Sequence, residues 1–164
     1  MAVDAYLRID GVKGESTDDK HRDWIELAAA SWGHKQAHND RTGSAGGHTV
    51  GAADFDHFLF SKAADLASPI LMQLCASGKT IPTATVEFMR ADGNGQRVKY
   101  YEIEFENIII CDASQSLPGA GVVHDQYALQ FSKVKWTYTQ QKKSGGKAGS
   151  TSGGWNLATR KSAT

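Results

Sequence analysis

Among the side chains of this sequence that could do chemistry, the densest group is Ser16, Asp18, Asp19 and His21. A serine close to an acid and a histidine is the composition of many hydrolytic sites. The residues around Ser16 do not form a nucleophile elbow, however, and nothing nearby marks an oxyanion hole. The group is therefore predicted to be a polar turn, and the sequence predicts that the protein is not an enzyme.

Metal coordination is the next chemistry to consider, because His34, His38 and His48 share one glycine-rich segment. Zinc sites use characteristic spacings of histidine and cysteine. The spacing of these three residues fits no such pattern, and no cysteine lies near them. They are predicted to be polar surface or interface residues, and no metal or other cofactor is expected.

Two rows of charged side chains lie on predicted strands. The acidic row is Glu102, Glu104 and Glu106, and the basic row is Lys133 and Lys135. Alternate residues of a strand point to the same face, so each row forms a line of like charge. Opposite charges on neighbouring strands stabilise each other. The rows therefore indicate charge pairing, either across strands or between subunits, and no catalysis.

The elements that carry these residues are mostly strands, in which apolar and polar residues alternate. In two long segments the alternation changes phase, once between Phe105 and Ile108 and once between Phe131 and Val134. Because strand side chains alternate with a period of two, each change predicts a bulge or a strand that crosses between two sheets. The sequence therefore predicts a mainly β fold, a compact β-barrel of two sheets.

One short α-helix is predicted to pack alongside the strands. Ser68 suits the N-cap, because its hydroxyl can accept a hydrogen bond from the first turn, and Pro69 suits the first turn, because it lacks an N–H. Gly78 suits the position just after the last turn. The apolar stripe between them consists of Ile70, Leu71, Leu74 and Cys75.

Two segments lack any periodic pattern. The polar, glycine-rich segment His34–Gly51 predicts a long extended loop, and loops of this length are usually functional or mobile. Lys142–Gly154 consists largely of Gly, Ser and Lys and predicts a flexible linker. Residues 1–141 are therefore predicted to form the β-barrel domain, and residues 142–164 a flexible tail in which Trp155-Asn156-Leu157 docks on the body or on a neighbour.

Composition narrows the class of protein. The 164 residues contain 18 basic and 18 acidic side chains, and this neutral balance argues against nucleic acid or an anionic membrane as the partner. No apolar run is long enough to span a bilayer, and the first ten residues do not resemble a signal peptide. Cys75 and Cys111 are predicted to be buried free thiols. The protein is expected to be made in a cytoplasm, and any export would use a route without a cleaved signal.

An ordered set of segments resembles the Hcp family, the haemolysin co-regulated proteins that form the inner tube of the bacterial type VI secretion system. These segments span nearly the whole chain and are Ala5–Ile9, Gly11–Ser16 with His21, Ser31-Trp32-Gly33, Phe58–Lys62, Asp65 with Ala67-Ser68-Pro69, Gly78, Val134–Tyr138 and Trp155-Asn156-Leu157. None of them is specific alone, whereas the ordered set is.

The resemblance implies a homo-hexameric ring with a wide channel, and rings that stack into a tube inside a contractile sheath. It also implies a spike protein at the tube tip, small effectors carried in the lumen, and expulsion into the extracellular space or a target cell. By the same resemblance, Ser31 is the candidate lumen contact. The loop that reaches a stacked ring is expected to use His34, His38, Arg41 and His48.

From the residues alone, a self-assembling β module is the first interpretation, because long strands leave edges that another chain can cover. The alternative is a β module that binds a carbohydrate or another small ligand. Aromatic residues on an open face would favour that alternative, but most aromatic residues here fall in the core-facing register.

Overall fold

The structure, a computed structural model, describes residues 4–38 and 50–163. This part of the chain forms twelve strands and one helix: β1 Asp4–Ile9, β2 Ile25–Leu27, β3 Ala29–Ser31, β4 His34–His38, β5 Val50–Phe55, β6 Phe58–Ala63, α1 Ser68–Ser77, β7 Ile81–Ala91, β8 Arg97–Ser116, β9 His124–Gln130, β10 Lys133–Gln141, β11 Lys147–Asn156 and β12 Lys161–Ser162. The fold is therefore mainly β, as the alternating pattern predicted.

Ten of these twelve strands form two sheets that share β8. The first sheet has the order β12-β11-β10-β8-β7-β1-β2, and the second consists of β3, β6 and β9 followed by the second half of β8. The ladder between β8 and β10 ends at Glu106, and the ladder between β8 and β9 begins at Ile109. Between them, Asn107 has a φ of 51°, a left-handed conformation that bends the strand. The predicted crossing between two sheets is thus confirmed.

The predicted barrel is open at one corner. The ladder between β1 and β2 ends at Leu27, and the ladder between β3 and β6 begins at Ala29. The chain turns from one sheet into the other at Ala28, whose N–H donates to the carbonyl of Ser61 at 2.8 Å. At this corner the chain itself connects the two sheets. Among the described residues, no further strand ladder joins them there.

The core lies between the inner faces of the two sheets. Its fully buried side chains include Leu7, Val86 and Ile103 from the first sheet, and Phe58 and Leu129 from the second. Phe58 and Phe105 meet across the core with ring centroids 5.1 Å apart. Aromatic and aliphatic side chains therefore fill the space between the sheets, at roughly 1.5–3 kcal/mol for each fully buried large side chain.

The helix begins one residue earlier than predicted. Ala67, and not Ser68, occupies the N-cap position, and no side chain caps it. The Ser68 hydroxyl is buried and accepts a hydrogen bond from the N–H of Asp65 at 2.9 Å. Gly78 ends the helix with a φ of 62°, as predicted. Leu71 is the helical residue buried deepest in the core, whereas Ile70 is exposed.

The predicted long loop has a regular stem. Strands β4 and β5 pair antiparallel in a separate two-stranded sheet, from His34 opposite Phe55 to His38 opposite Val50. Arg41, His48 and the side chain of His38 lie outside the described residues. The extended-loop prediction is thus corrected at its two ends, where strand pairing replaces irregular chain.

The segment predicted as a flexible tail contains a strand. In β11, Trp155 stands opposite Val134 of β10, and Ser152 stands opposite Thr137. Gly154 permits a close approach, because a Cβ at this position would lie 1.8 Å from the carbonyl oxygen of Ala163. Trp155 and Leu157 pack against the core. Pairing with β10 orders this Gly- and Ser-rich stretch, so the structure differs from the flexible tail that composition predicted.

Both cysteines are free, as expected, but their predicted burial is wrong for Cys111, which is exposed. A register shift between β8 and β9 falls between Ile110 and Asp112. Ile108 and Ile110 are both buried, so the alternation of the strand turns Cys111 to the outer side. Its Sγ lies 3.5 Å from the Nδ1 of His57.

Candidate functional site

The outer face of the second sheet is lined by small and mostly uncharged side chains. Two rows of residues cross it in register: Ser31, Leu59, Ala128 and Asp112 form one, and Ala29, Ser61, Gln126 and Ser114 form the other. The face encloses an open groove of about 400 Å³. Leu59 is its largest exposed apolar side chain, at 49% exposure. Such a face offers a neighbouring molecule a smooth surface, with one carboxylate and few large or charged side chains that could bind it tightly.

Ser31 lies at the free edge of this face. It belongs to β3, which pairs with β6, and its Cα partner there is Leu59. Its side chain is exposed and lines the groove. The position suits a contact with a molecule in front of the sheet, and its role as a lumen contact stays a prediction.

The charged rows face each other across β8 and β10 of the same chain. Lys133 Nζ lies 2.9 Å from Glu106 Oε1, and Lys135 Nζ lies 3.8 Å from Glu104 Oε2. Glu102 stands opposite Thr137 and pairs instead with Lys99, three residues before it on β8. Surface pairs of this kind contribute roughly 0–1 kcal/mol each. The rows are thus cross-strand pairs, and their predicted contact with another subunit stays a prediction.

His34 fixes the stem of the β4–β5 hairpin to the body. Its ring stacks on Phe55 of β5, with centroids 4.7 Å apart, and on Trp136 of β10 at 5.6 Å. Among residues 4–38 and 50–163, no three His, Cys, Asp or Glu side chains are placed to hold a metal ion. The stacked ring gives His34 a packing role at the base of the loop.

Sequence reasoning missed the environment of His21. This side chain is 1% exposed, and its Nδ1 and Nε2 lie 2.7 and 2.8 Å from carboxylate oxygens of Asp18 and Glu87. The Ser16 hydroxyl accepts a hydrogen bond from the N–H of Asp18 at 3.2 Å. Because the imidazole is buried between two acids, it can neither activate this serine nor reach a substrate. Glu87 lies 66 residues away in sequence, so no local pattern could reveal the pair.

A second missed feature is a buried ion pair beneath the outer face of the second sheet. Lys62 and Asp125 are both fully buried, and Lys62 Nζ donates to Asp125 Oδ2 at 2.9 Å and to Ser68 Oγ at 2.8 Å. Burial acts to raise the pKa of Asp125, but hydrogen bonds from Ser68, Lys62, Gln115 and Tyr127 together hold it below its usual value. A signal was present, because Lys62 continues the inward register of Phe58 and Phe60.

Comparison with known proteins identifies the family. A sequence model described as "Type VI secretion system effector, Hcp" matches residues 6–138. Protein hcp1 of Pseudomonas aeruginosa is 35% identical over 161 residues, which cover 96% of each chain. The chain belongs to the Hcp family.

Solved structures agree with this assignment. A protein described as a type six secretion system protein superposes with a TM-score of 0.90 at 28% identity, over 99% of this chain and 100% of that one. Hcp1 from Salmonella typhimurium superposes with a TM-score of 0.79 at 32% identity, again over 99% and 100%. Both superpositions cover nearly the whole chain, so its overall fold is that of these structures.

Membership of the Hcp family makes this chain a secreted, structural protein of the type VI secretion system and not an enzyme. Hcp proteins assemble into oligomeric tubes. Within the part of the chain that the structure describes, no helix is long and apolar enough to cross a membrane.

Proposed function

We propose that this Hcp chain forms hexameric rings that stack into the tube expelled by a type VI secretion system, with the outer face of the second sheet lining the channel. The observation that carries the proposal is the composition of this face. Four strands present small side chains in register, with Asp112 as the acid that lines the groove. A wall with few charges and few large groups would let cargo pass without holding it tightly.

Stacking is assigned to the β4–β5 hairpin. Its stem is anchored through His34 on Phe55 and Trp136, which gives the hairpin a fixed base. We propose that His38, Arg41 and His48 contact the next ring, that the sheath surrounds the stack and that a spike protein caps it. Small effectors in the lumen would contact Ser31 and its neighbours.

One groove favours the alternative function, a module that binds a carbohydrate or another small ligand. Trp32 is 40% exposed and lies beside a groove of about 480 Å³ that Tyr100 and Tyr101 also line. Exposed aromatic faces of this kind suit the apolar face of a sugar. Binding of a glycan to a stable monomer would favour this alternative.

The first test is the mass of the protein in solution. A hexamer has six times the 17.7 kDa of the chain, about 106 kDa. Light scattering on a chromatography peak and negative-stain images of the same peak should give this mass and rings with a central hole. A monomer that persists at high concentration would remove the ring from the proposal.

The second test asks which face lines the channel. Ser31 and Ser152 are both exposed serines on strands, one on β3 of the second sheet and one on β11 of the first. Each is replaced by cysteine in a background of Cys75→Ser and Cys111→Ser. In intact rings a small maleimide should label both positions, and a bulky polymer maleimide should label Ser152→Cys but not Ser31→Cys. Equal labelling by the bulky reagent in intact rings would place Ser31 outside the channel.

A further inference from the structure

The segment between β1 and β2 folds over the outer face of the first sheet. Within it, the N–H of Gly14 donates to the backbone carbonyl of Asp23 at 2.8 Å, and the N–H of Ser16 donates to the backbone carbonyl of Trp24 at 3.0 Å. A Cβ on Gly14 would lie 2.4 Å from the Trp24 oxygen, so the two arms of the segment touch. The segment covers Tyr6, which is 4% exposed although it lies on the outer face of its strand. Residues 12–24 therefore form a flap, and His21 is the part of it that enters the protein.

The imidazole of His21 makes two polar contacts of the same kind. Nδ1 faces Asp18, within the flap, and Nε2 faces Glu87 on β7. The ring is stacked on Tyr6 with centroids 4.3 Å apart and planes 4° from parallel, and the ring of Trp24 lies nearly perpendicular to it with centroids 4.9 Å apart. With 1% exposure, neither nitrogen can turn to water instead.

Proton counting decides which form of the ring fits. A neutral imidazole has one N–H donor and one acceptor, whereas an imidazolium has two donors. An ionised carboxylate only accepts hydrogen bonds. The hydrogen bond from His21 lowers the pKa of Asp18. Burial opposes ionisation of Glu87, but hydrogen bonds from His21 and Lys99 outweigh it and lower that pKa as well. Both partners are therefore ionised at neutral pH, and a neutral ring would place a lone pair against one of them.

The surrounding charges favour a positive ring. A continuous series of ion pairs begins at Asp4 on β1. Acidic and basic side chains alternate along it, in the order Asp4, Arg97, Asp18, His21, Glu87, Lys99 and Glu102. Arg97 also donates to the Tyr6 hydroxyl at 3.0 Å, Arg8 lies over the Trp24 ring, and Glu26 on β2 stands opposite Tyr6. A neutral His21 would leave two acids adjacent in this sequence of charges.

We infer that His21 is held as a doubly protonated imidazolium between two carboxylates, and that this cation latches the flap onto the first sheet. The inference concerns one folded chain, so it stands or falls independently of ring formation.

The direct test is nuclear magnetic resonance of the full chain with ¹⁵N-labelled histidine. At pH 7, His21 should show two slowly exchanging ring N–H protons and the nitrogen shifts of an imidazolium. The exposed rings of His57 and His124 provide internal references. A neutral His21 ring with a single N–H at this pH would overturn the inference.

A matched pair of variants tests the latch without removing the ring. In Glu87→Gln the imidazolium loses one of its two carboxylates, so the latch should weaken. In Glu104→Gln the carboxylate lost is the partner of Lys135, and the latch should remain. The readout is hydrogen exchange at the amides of Gly14 and Ser16, corrected for intrinsic rates. At pH 7, corrected exchange should be faster by about tenfold or more in Glu87→Gln than in the parent, because one hydrogen bond between charged groups is lost, and unchanged in Glu104→Gln. Equal exchange in the parent and in Glu87→Gln would contradict the latch.

Discussion

Replacing Lys62 by methionine should destabilise the chain more than any surface charge change. Methionine has a similar length but no charge, so the substitution leaves the carboxylate of Asp125 buried without its cation. Breaking a buried ion pair from one side costs roughly 3–5 kcal/mol, because the remaining charge stays desolvated.

The structure places the expected cost at the lower end of this range. In Lys62→Met, Asp125 keeps hydrogen bonds from Ser68, from Gln115 at 2.9 Å and from the Tyr127 hydroxyl at 2.9 Å. These three donors still stabilise the ionised form, so we expect about 3 kcal/mol. Asp125→Asn should cost less, because Lys62 would keep Asp65 as a counter-charge at 2.7 Å.

The assay is thermal unfolding at one fixed protein concentration, since assembly makes the midpoint depend on concentration. For a chain of this size, about 3 kcal/mol corresponds to a midpoint lower by roughly 6–12 °C. Lys143→Met, which removes an exposed lysine, is the control and should change the midpoint by little. A decrease in Lys62→Met no larger than in this control would show that water reaches the pair, and the reasoning from burial would fail.

Two further predictions concern the first sheet. If the charge rows contact a neighbouring subunit, both Lys133→Glu and the swap Lys133→Glu/Glu106→Lys should reduce ring formation, measured on a sizing column. If the swap restores the rings, the two residues pair only within one chain, and the predicted contact between subunits is wrong. Gly154→Ala would drive a methyl group into the carbonyl of Ala163, so β12 should detach at a cost of roughly 1–3 kcal/mol, whereas Gly153→Ala meets nothing within 4 Å and should be neutral. Limited proteolysis near residue 160 checks the second prediction, and equal digestion of the two glycine variants would contradict it.

The strand that crosses between the sheets could be predicted, because burial of one strand face gives apolar residues a period of two in the sequence. Phe105 and Ile108 are both buried, and the odd spacing between them requires the bend that Asn107 supplies. The end of the helix was equally accessible, because Gly78 adopts the left-handed conformation that glycine favours. These features depend on neighbours in sequence, and such neighbours are visible without a structure.

Features that depend on distant partners were not accessible in this way. Strand β11 contains Gly149, Gly153 and Gly154 and lacks an apolar alternation, so its order comes from the ladder with β10. The Ser68 hydroxyl suits a cap in isolation, but Lys62 and Asp125 are stronger partners once the sheet forms. Local propensity loses to tertiary hydrogen bonds in both cases.

The candidate channel face has no sequence signature for a related reason. Its residues are small and weakly polar, and such residues occur on many exposed strands. Ser31 was therefore identified through the family resemblance, and the structure adds its neighbours Leu59 and Ser61 in the next strand. The face becomes recognisable once β3, β6, β9 and β8 are placed side by side.

The buried ion pair fixes which residues of β6 and β9 lie on this face. Lys62 stands directly opposite Asp125 in the ladder between β6 and β9, and Ser61 stands opposite Gln126 on the other side of the same ladder. A slip of one residue would separate the two charges and turn the Ser61 side of the strand into the core. An apolar pair at positions 62 and 125 could be as stable, since buried ion pairs often gain little over well-packed apolar residues. Apolar side chains, however, would tolerate a slipped register far better than two charges do. The cost of burying Lys62 and Asp125 therefore secures the register of the strands whose outward residues form the proposed channel wall.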